Sequence, residues 1–303
     1  MFVFRIFITL PILLLAAGVC FAGSYEQGTD AYNRGDYELA RKLYEEGAEN
    51  GSAEAMTGLA LMYASGIGAP QSNRKAVFWY QKAAEKGDMP AQYNLAIMYE
   101  RGAGVEKDFK AAARWFREAA NQGLDRAQYG LALSYEIGRG VEQDDVEAVR
   151  WYRNAANQGL QIAQLALGMM YSLGKGVPAN ETAAAIWFRL AADQGSPEAQ
   201  MSLSVMYLYG AGVKQDNELS LHWMLKAAEQ NNSEAYFMLG DRYEVGKGGV
   251  ADPVESYMWY SLAIDQDHAE AALNRALLAE TMTPEQISRA EAMARDWRNK
   301  HNQ

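Results

Sequence analysis

The sequence has very little of the two residue types that build most zinc sites and disulfides. It contains one cysteine, Cys20, and three histidines, His222, His268 and His301, which are scattered along the chain. One cysteine excludes an intramolecular disulfide, and histidines spaced in this way give no zinc-ligand motif. We therefore expect a fold that is held together by neither disulfides nor a structural metal.

Positive charge is also scarce. The chain has 28 Lys and Arg residues against 38 Asp and Glu residues, which gives a formal net charge of −10. A protein this acidic is a poor ligand for nucleic acids and for anionic lipid surfaces, so we predict no nucleic-acid partner. With 49% hydrophobic and 22% charged residues, the chain still has the composition of a folded protein with a sizeable core.

One long apolar run is present near the N-terminus. Arg5 precedes the apolar run Ile6 to Ala17, and the stretch GVCFAGS follows, with Ala22 as a suitable residue just before a cleavage point. This order is typical of a secretory signal peptide, so we predict that residues 1–22 are a signal peptide and that the protein is exported to the periplasm. Secretion or display at the cell surface is the alternative. If the segment stays uncleaved, it is the one part that we expect to contact a membrane.

A ten-residue pattern recurs through the rest of the chain. It reads LALMYASGIG from Leu59 to Gly68, and returns as LAIMYERGAG, LALSYEIGRG, LGMMYSLGKG, LSVMYLYGAG and LGDRYEVGKG. Its tyrosine recurs every 36 residues, at Tyr63, Tyr99, Tyr135, Tyr171, Tyr207 and Tyr243. Tryptophan keeps the same interval, at Trp79, Trp115, Trp151, Trp187, Trp223 and Trp259. A constant period of this length indicates an array of stacked repeats.

Each repeat predicts two helices joined by a glycine loop. In residues 88–123, Ala91, Leu95 and Tyr99 fall on one face of a first helix, helix A, over Met89–Arg101. A glycine follows helix A in every repeat, as a left-handed C-cap requires. The second helix, helix B, is preceded in every repeat by a residue that caps helix N-termini: Ser72, Asp108, Asp144, Asn180, Asp216 or Asp252.

These motifs resemble the Sel-one-like repeat (SLR) family, a relative of the tetratricopeptide repeat proteins. The resemblance rests on A-x-x-x-L-x-x-x-Y-x-x-G-x-G-V-x-x-D followed by A-x-x-W-Y/F-x-x-A-A-x-x-G, from Ala53 to about Asp267. It implies an all-α, right-handed superhelical solenoid of antiparallel helix hairpins. We expect a tetratricopeptide-like hairpin over 23–52, six repeats over 53–268, and a last helix with a capping helix over 269–303. Thr283 to Gln286 reads as the capping box of that final helix.

The same resemblance implies a concave groove lined by three columns of helix A positions. The first column is Thr57, Tyr93, Tyr129, Leu165, Met201 and Phe237, and the second is Leu61, Ile97, Leu133, Met169, Val205 and Asp241. The third column adds an acidic rim at Glu100, Glu136 and Glu244, with Ser172 and Leu208. The eleven residues that we predict to bind a partner are Tyr93, Tyr129, Leu165, Met201, Phe237, Ile97, Leu133, Met169, Val205, Glu100 and Glu136. Two interpretations stay open. The apolar columns are either an exposed stripe that binds a partner or core positions covered by neighbouring helices. An exposed stripe would suit an extended or helical peptide segment of a partner protein, with apolar anchors and some basic residues.

Motifs for catalysis are weak. The paired glycines never complete G-x-G-x-x-G, so we predict no nucleotide and no other small-molecule cofactor. The Ser-x-x-Lys motif of penicillin-binding enzymes occurs at Ser72 and at Ser172, without a Lys-Thr-Gly partner. We therefore predict a non-enzymatic interaction scaffold or adaptor, in envelope signalling or assembly. A secreted or surface adhesin that binds a host protein is the alternative, and a penicillin-binding or β-lactamase-like enzyme is less favoured.

Overall fold

A computed structural model describes residues 13–246, 249 and 251–301 of the chain. The regular elements of this part are α-helices. In chain order they are α1 (Leu13–Asn33), α2 (Tyr37–Glu49), α3 (Ala53–Ser65), α4 (Asn73–Glu85), α5 (Met89–Arg101), α6 (Phe109–Asn121), α7 (Asp125–Ile137), α8 (Asp145–Asn157), α9 (Gln161–Leu173), α10 (Glu181–Asp193), α11 (Pro197–Tyr209), α12 (Asn217–Ala228), α13 (Ser233–Val245), α14 (Pro253–Asp265), α15 (Ala269–Ala279) and α16 (Pro284–His301). The predicted all-α class is confirmed.

The helices belong to two compact units, residues 1–151 and residues 152–303, whose boundary lies inside α8. In unit 1, the hairpins α1–α2, α3–α4 and α5–α6 pack in chain order, and α7 packs on α6. In unit 2, the hairpins α9–α10, α11–α12 and α13–α14 follow one another, and α15 and α16 both pack on α14. Each unit is therefore built from the predicted helix hairpins, with helix A first and helix B second.

The ends of the helices have the predicted caps. Helix α5 has the predicted bounds, and the glycine that follows each helix A of the 36-residue repeats is left-handed, with φ between +66° and +75° at Gly66, Gly102, Gly138, Gly174, Gly210 and Gly246. The capping residue before helix B accepts hydrogen bonds from amides of the first turn in each repeat. For example, Asp108 Oδ1 accepts from Lys110 N at 2.8 Å and from Ala111 N at 3.0 Å. The predicted loop chemistry is thus confirmed along the chain.

A second glycine in the loop fits against the preceding repeat. A Cβ atom on Gly104 would lie 2.3 Å from the carbonyl carbon of Asn73, which is the first residue of α4. Gly140 and Gly212 make the same close approach to Phe109 and Glu181, the first residues of α6 and α10. Only glycine lets two backbones come this close, so this residue fixes the distance between consecutive repeats.

The core of each unit consists mainly of alanine and leucine from helix A with alanine and aromatic residues from helix B. The helix A leucines Leu59, Leu95, Leu131, Leu167, Leu203 and Leu239 are all buried. One buried polar residue recurs among them. Gln164 Nε2 donates to Ala156 O at 3.2 Å, and Gln164 Oε1 accepts from Gln194 Nε2 at 2.7 Å. Gln92 and Gln122 form the same pair in unit 1 at 2.8 Å, so the buried amides are satisfied in both units.

The C-terminal helix closes unit 2. Thr283 N donates to Gln286 Oε1 at 2.8 Å and Gln286 N donates to Thr283 Oγ1 at 3.3 Å, so the predicted capping box is confirmed. The helix that follows covers α14, with the ring centroids of Trp259 and Trp297 4.7 Å apart. Trp297 Nε1 also donates to the Tyr236 hydroxyl at 3.1 Å.

The predicted signal peptide lies partly outside the described residues, since these begin at Leu13. From Leu13 onward the backbone of this segment belongs to α1. In the part of the chain that the structure describes, none of the helices combines the length and the apolarity needed to span a bilayer.

Candidate interaction groove

In unit 1, the predicted groove residues are half-buried. The Tyr93 ring lies 5.9 Å from the Phe116 ring, centroid to centroid. Burial raises the pKa of the Tyr129 hydroxyl above its ordinary value, and the negative charge of Glu136 adds to the effect. Ile97 and Leu133 are half-buried beside them. In the acidic rim, Glu100 Oε1 lies 3.9 Å from Arg139 Nη1. These columns are therefore neither fully covered nor fully open.

In unit 2, the first column is more covered than an open groove would require. Met201 is only 7% exposed. Leu165 is half-buried and packs on the cores of two neighbouring hairpins. The Phe237 ring is stacked on His268 at a centroid distance of 4.3 Å. One face of Phe237 is thus already occupied by the chain itself, and Met169, at 42% exposed, is the most open of the eleven predicted residues.

Three of the predicted residues nevertheless meet in a cavity of about 480 Å³. Met169, Met201 and Val205 line it together with Phe188, Leu173, Met206, Tyr209 and Met238, and Glu181 and Glu234 add carboxylates. Four of these side chains are methionines, which are flexible and adapt to differently shaped apolar groups. The cavity is therefore suited to an apolar side chain.

A second cavity, of about 420 Å³, adjoins the first, since Tyr209 and Met238 line both. Its other lining residues are Leu208, Met224, Asp241, Arg242, Glu244 and Val245. We call these two cavities together the unit 2 groove. Their combined lining is apolar along the methionines and acidic at Glu181, Glu234, Asp241 and Glu244.

The unit 2 members of a fourth column, which the sequence reasoning missed, form the most exposed wall of this groove. The last residue of helix A is apolar in four successive repeats and exposed in each, at Ile137 (46%), Leu173 (75%), Tyr209 (64%) and Val245 (71%). The signal was available in the repeated stretch, because each of these residues directly precedes the cap glycine. An apolar residue at an exposed helix end contributes little to the core, so its recurrence indicates a surface with another use.

Two carboxylates at the end of the groove share one hydroxyl group. Tyr260 Oη lies 2.6 Å from Asp241 Oδ1 and 2.5 Å from Glu244 Oε2. Asn274 Nδ2 is 3.4 Å from the same Asp241 oxygen. Burial and the two carboxylates together raise the pKa of Tyr260 far above its ordinary value, so this hydroxyl keeps its proton. We call these four residues the acidic cluster.

Comparison with known proteins identifies the repeat. A family model described as Sel1 repeat matches residues 16–52, 53–88, 90–124, 125–160, 161–196, 197–232 and 233–268. The chain belongs to the Sel1 repeat family. Its first match overlaps the segment for which we predicted a tetratricopeptide-like hairpin. Proteins with Sel1 repeats generally serve as non-catalytic scaffolds for protein–protein interaction.

Solved structures of bacterial Sel1 repeat proteins share the fold. One is a protective antigen of uropathogenic Escherichia coli with an SLR fold, 31% identical, with a TM-score of 0.62 over 93% of this chain and 69% of the antigen. Another is a Sel1 repeat protein from Oxalobacter formigenes, 30% identical, with a TM-score of 0.70 over 79% of this chain and 96% of that protein. No curated protein sequence matches significantly. The predicted SLR solenoid is confirmed by the family match and these two structures.

The Ser-x-x-Lys motifs occupy ordinary positions of the Sel1 repeats. Ser72 is the N-cap of α4, and its Oγ accepts from Lys75 N at 3.4 Å. Lys75 Nζ lies over the Tyr63 ring, 4.9 Å from its centroid. Ser172 is exposed in the last turn of α9, where it lines the larger groove cavity. The positions of both serines are therefore explained by the repeat structure without a catalytic role.

Proposed function

We propose that this Sel1 repeat protein is an exported, non-enzymatic scaffold that binds a segment of a partner protein through the groove formed by its helix A columns, in the periplasm. The observation that carries the proposal is the exposed apolar wall of Leu173, Tyr209 and Val245 beside two methionine-lined cavities. Exposed apolar patches next to preformed cavities are where proteins anchor partners. Service in envelope signalling or assembly fits such a scaffold.

A role at the cell surface is the second candidate. It is favoured by one relative, the protective antigen of uropathogenic Escherichia coli, which is 31% identical. A surface factor would use the same groove toward a host protein. The two candidates differ in location, so adding protease to intact cells separates them: a periplasmic protein stays whole until the outer membrane is opened, whereas a surface protein is degraded at once.

Site-specific crosslinking in living cells tests the scaffold itself. A photoreactive amino acid at Met169, in the groove, should capture one recurrent partner, which mass spectrometry identifies. The same amino acid at Ile186, exposed on helix B of the same hairpin, is the matched control and should not capture that protein. Val205→Asp should abolish capture from Met169 while the circular dichroism spectrum stays unchanged. Equal capture from both positions would contradict a groove-directed function.

A further inference from the structure

We infer that the unit 2 groove recognises a segment with a lysine or arginine flanked by apolar side chains, the cation lying between the carboxylates of Asp241 and Glu244. The inference rests on the proposed function and adds to it the chemistry of the partner. A general scaffold groove requires only apolar anchors, whereas this chain places a fixed acidic cluster among them.

The acidic cluster has more hydrogen-bond acceptors than donors among its own side chains. A tyrosine hydroxyl carries a single hydrogen, so Tyr260 donates to one carboxylate at a time while its oxygen lies within 2.6 Å of both. Asn274 supplies only a long contact of 3.4 Å to Asp241. At any moment one carboxylate of the pair must therefore accept from a donor other than Tyr260, and the several N–H groups of a lysine or arginine can act as that donor.

The net charge of the groove lining also favours a cationic segment. Its lining has four carboxylates, from Glu181, Glu234, Asp241 and Glu244, and one basic side chain, Arg242. Arg242 is buried, and its Nη2 donates to Asn217 O at 3.1 Å. Burial lowers the pKa of this guanidinium, and the neighbouring Tyr243 partly offsets the effect. The groove thus presents net negative charge, which attracts a cationic segment and disfavours a second copy of this acidic chain.

The order of residues along the second helix A column sets the order expected in the partner. Met169 and Val205 are apolar, Asp241 interrupts the column, and Leu277 of α15 resumes it with 54% of its surface exposed. A purely apolar segment lying across these positions would strip water from Asp241 without replacing its hydrogen bonds, which is unfavourable. In a segment with a cation between two apolar side chains, the cation would pair with Asp241 and the apolar side chains would pack on the apolar residues on either side of it.

Selection from a random 12-residue peptide library displayed on phage tests this inference with the full-length protein. Peptides enriched on the wild-type protein should share apolar residues on either side of a lysine or arginine. On the Asp241→Asn/Glu244→Gln variant the apolar preference should remain and the basic preference should disappear. The Glu229→Gln/Glu270→Gln variant is the matched control, because it removes the same charge from two exposed positions outside both cavities.

Binding of the best enriched peptide, measured by fluorescence anisotropy, makes the test quantitative. We expect Asp241→Asn/Glu244→Gln to weaken binding roughly 10-fold or more, and the control variant to change it less than about 2-fold. Enriched peptides without a basic preference would overturn the inference and leave the proposed function standing. If the wild-type protein enriched no peptides beyond those enriched on a Val205→Asp variant, the proposed function would be overturned, and the inference with it.

Discussion

The two units of this molecule are built from the same type of repeat but have different surfaces. In unit 1, a described cavity of about 590 Å³ lies at the loop between the helices and is lined by polar and charged residues such as Arg117, Tyr135, Glu142 and Asp144. In unit 2, the described cavities of the groove are lined largely by methionine and other apolar residues. The buried glutamine pair and the helix caps are nevertheless the same in both units.

This difference separates the residues that fix the fold from those that give each unit its surface. Positions that recur every 36 residues hold the hairpins together, so substitutions there should have equal effects in both units. Under the proposed function, positions that change between repeats, such as Asp241 and Val245, give each surface its binding preference. The following predictions test this division, from the largest expected effect on stability to the smallest.

Replacing the second loop glycine should be the most damaging change, and equally so in both units. Gly140 and Gly212 have φ of +79° and +67°, and a Cβ atom would lie 1.9 Å from Phe109 O and 2.3 Å from Glu181 O. Gly140→Ala and Gly212→Ala should each lower the free energy of unfolding by about 4 kcal/mol in urea titrations.

Gly87→Ala and Gly195→Ala serve as controls for the backbone strain alone. Both glycines have positive φ with nothing within 4 Å of the added Cβ, so each change should cost about 1 kcal/mol. If Gly212→Ala and Gly195→Ala were equally harmful, contact with the preceding repeat would not matter.

The buried glutamine pair should come next. Gln164→Leu and Gln92→Leu each remove two hydrogen bonds, one to an alanine carbonyl and one from the partner glutamine, which should lower the free energy of unfolding by about 2 kcal/mol in either unit. Gln194→Ala, at the exposed end of the pair, should lower it by only ~1 kcal/mol. A more stable Gln164→Leu protein would show that the pair is not a stabilising feature of the repeat.

Two buried tyrosines should make the protein sensitive to alkaline pH. Burial raises the pKa of Tyr80 in unit 1 and of Tyr260 in unit 2 above the unfolded value of about 10. Their stability contribution is complete below about pH 10 and is lost as the pH rises, since only the unfolded chain then releases these protons.

By this linkage each tyrosine lowers the free energy of unfolding by about 0.8 kcal/mol at pH 10.5 relative to pH 8. The free energy of unfolding should be measured by urea unfolding at a series of pH values. Between pH 8 and pH 10.5, Tyr80→Phe and Tyr260→Phe should each lose about 0.8 kcal/mol less of it than the wild-type protein does. Unchanged slopes in both variants would mean that these hydroxyls ionise as easily in the folded protein as in the unfolded chain.

Changing the exposed column should hardly affect stability yet should affect binding in unit 2. Leu173→Ser/Val245→Ser should change the free energy of unfolding by less than about 0.5 kcal/mol, because both side chains are largely exposed. The same variant should bind the selected peptide about 10-fold more weakly. Ile137→Ser, at the same repeat position in unit 1, is the control, and an equal loss of binding there would contradict the assignment of the site to unit 2.

The helices and their caps could be predicted because their signals are local. Gly102 ends α5 and Asp108 begins α6 through contacts within a few residues, which the sequence displays directly. The exposure of the groove could not be predicted in the same way. Met201 and Met169 are the same residue type in two neighbouring helix A columns, and only the packing of neighbouring helices buries Met201 and leaves Met169 open.

The contacts within the acidic cluster could not be predicted for a different reason. The sequence places Asp241 in the second column and Glu244 in the rim, but their shared partner Tyr260 occupies a helix B position where other repeats have tyrosine, phenylalanine or methionine. Nothing local links the two residues, because the contact depends on how α13 and α14 pack. The exposed column ending in Val245 was missed because apolar residues at helical spacing usually signal core.

The close fit of the second loop glycine bears on how such a chain can change in length. Gly104 contacts Asn73, and Gly140 contacts Phe109. Each repeat therefore contributes a loop glycine that contacts the repeat before it, and a helix B N-terminus that the glycine of the next repeat contacts. Duplicating a complete 36-residue segment reproduces both contacts in register, whereas inserting a few residues inside a repeat breaks one of them. The array can therefore grow or shorten by whole repeats, and each added repeat extends the helix A surface by one more set of variable positions.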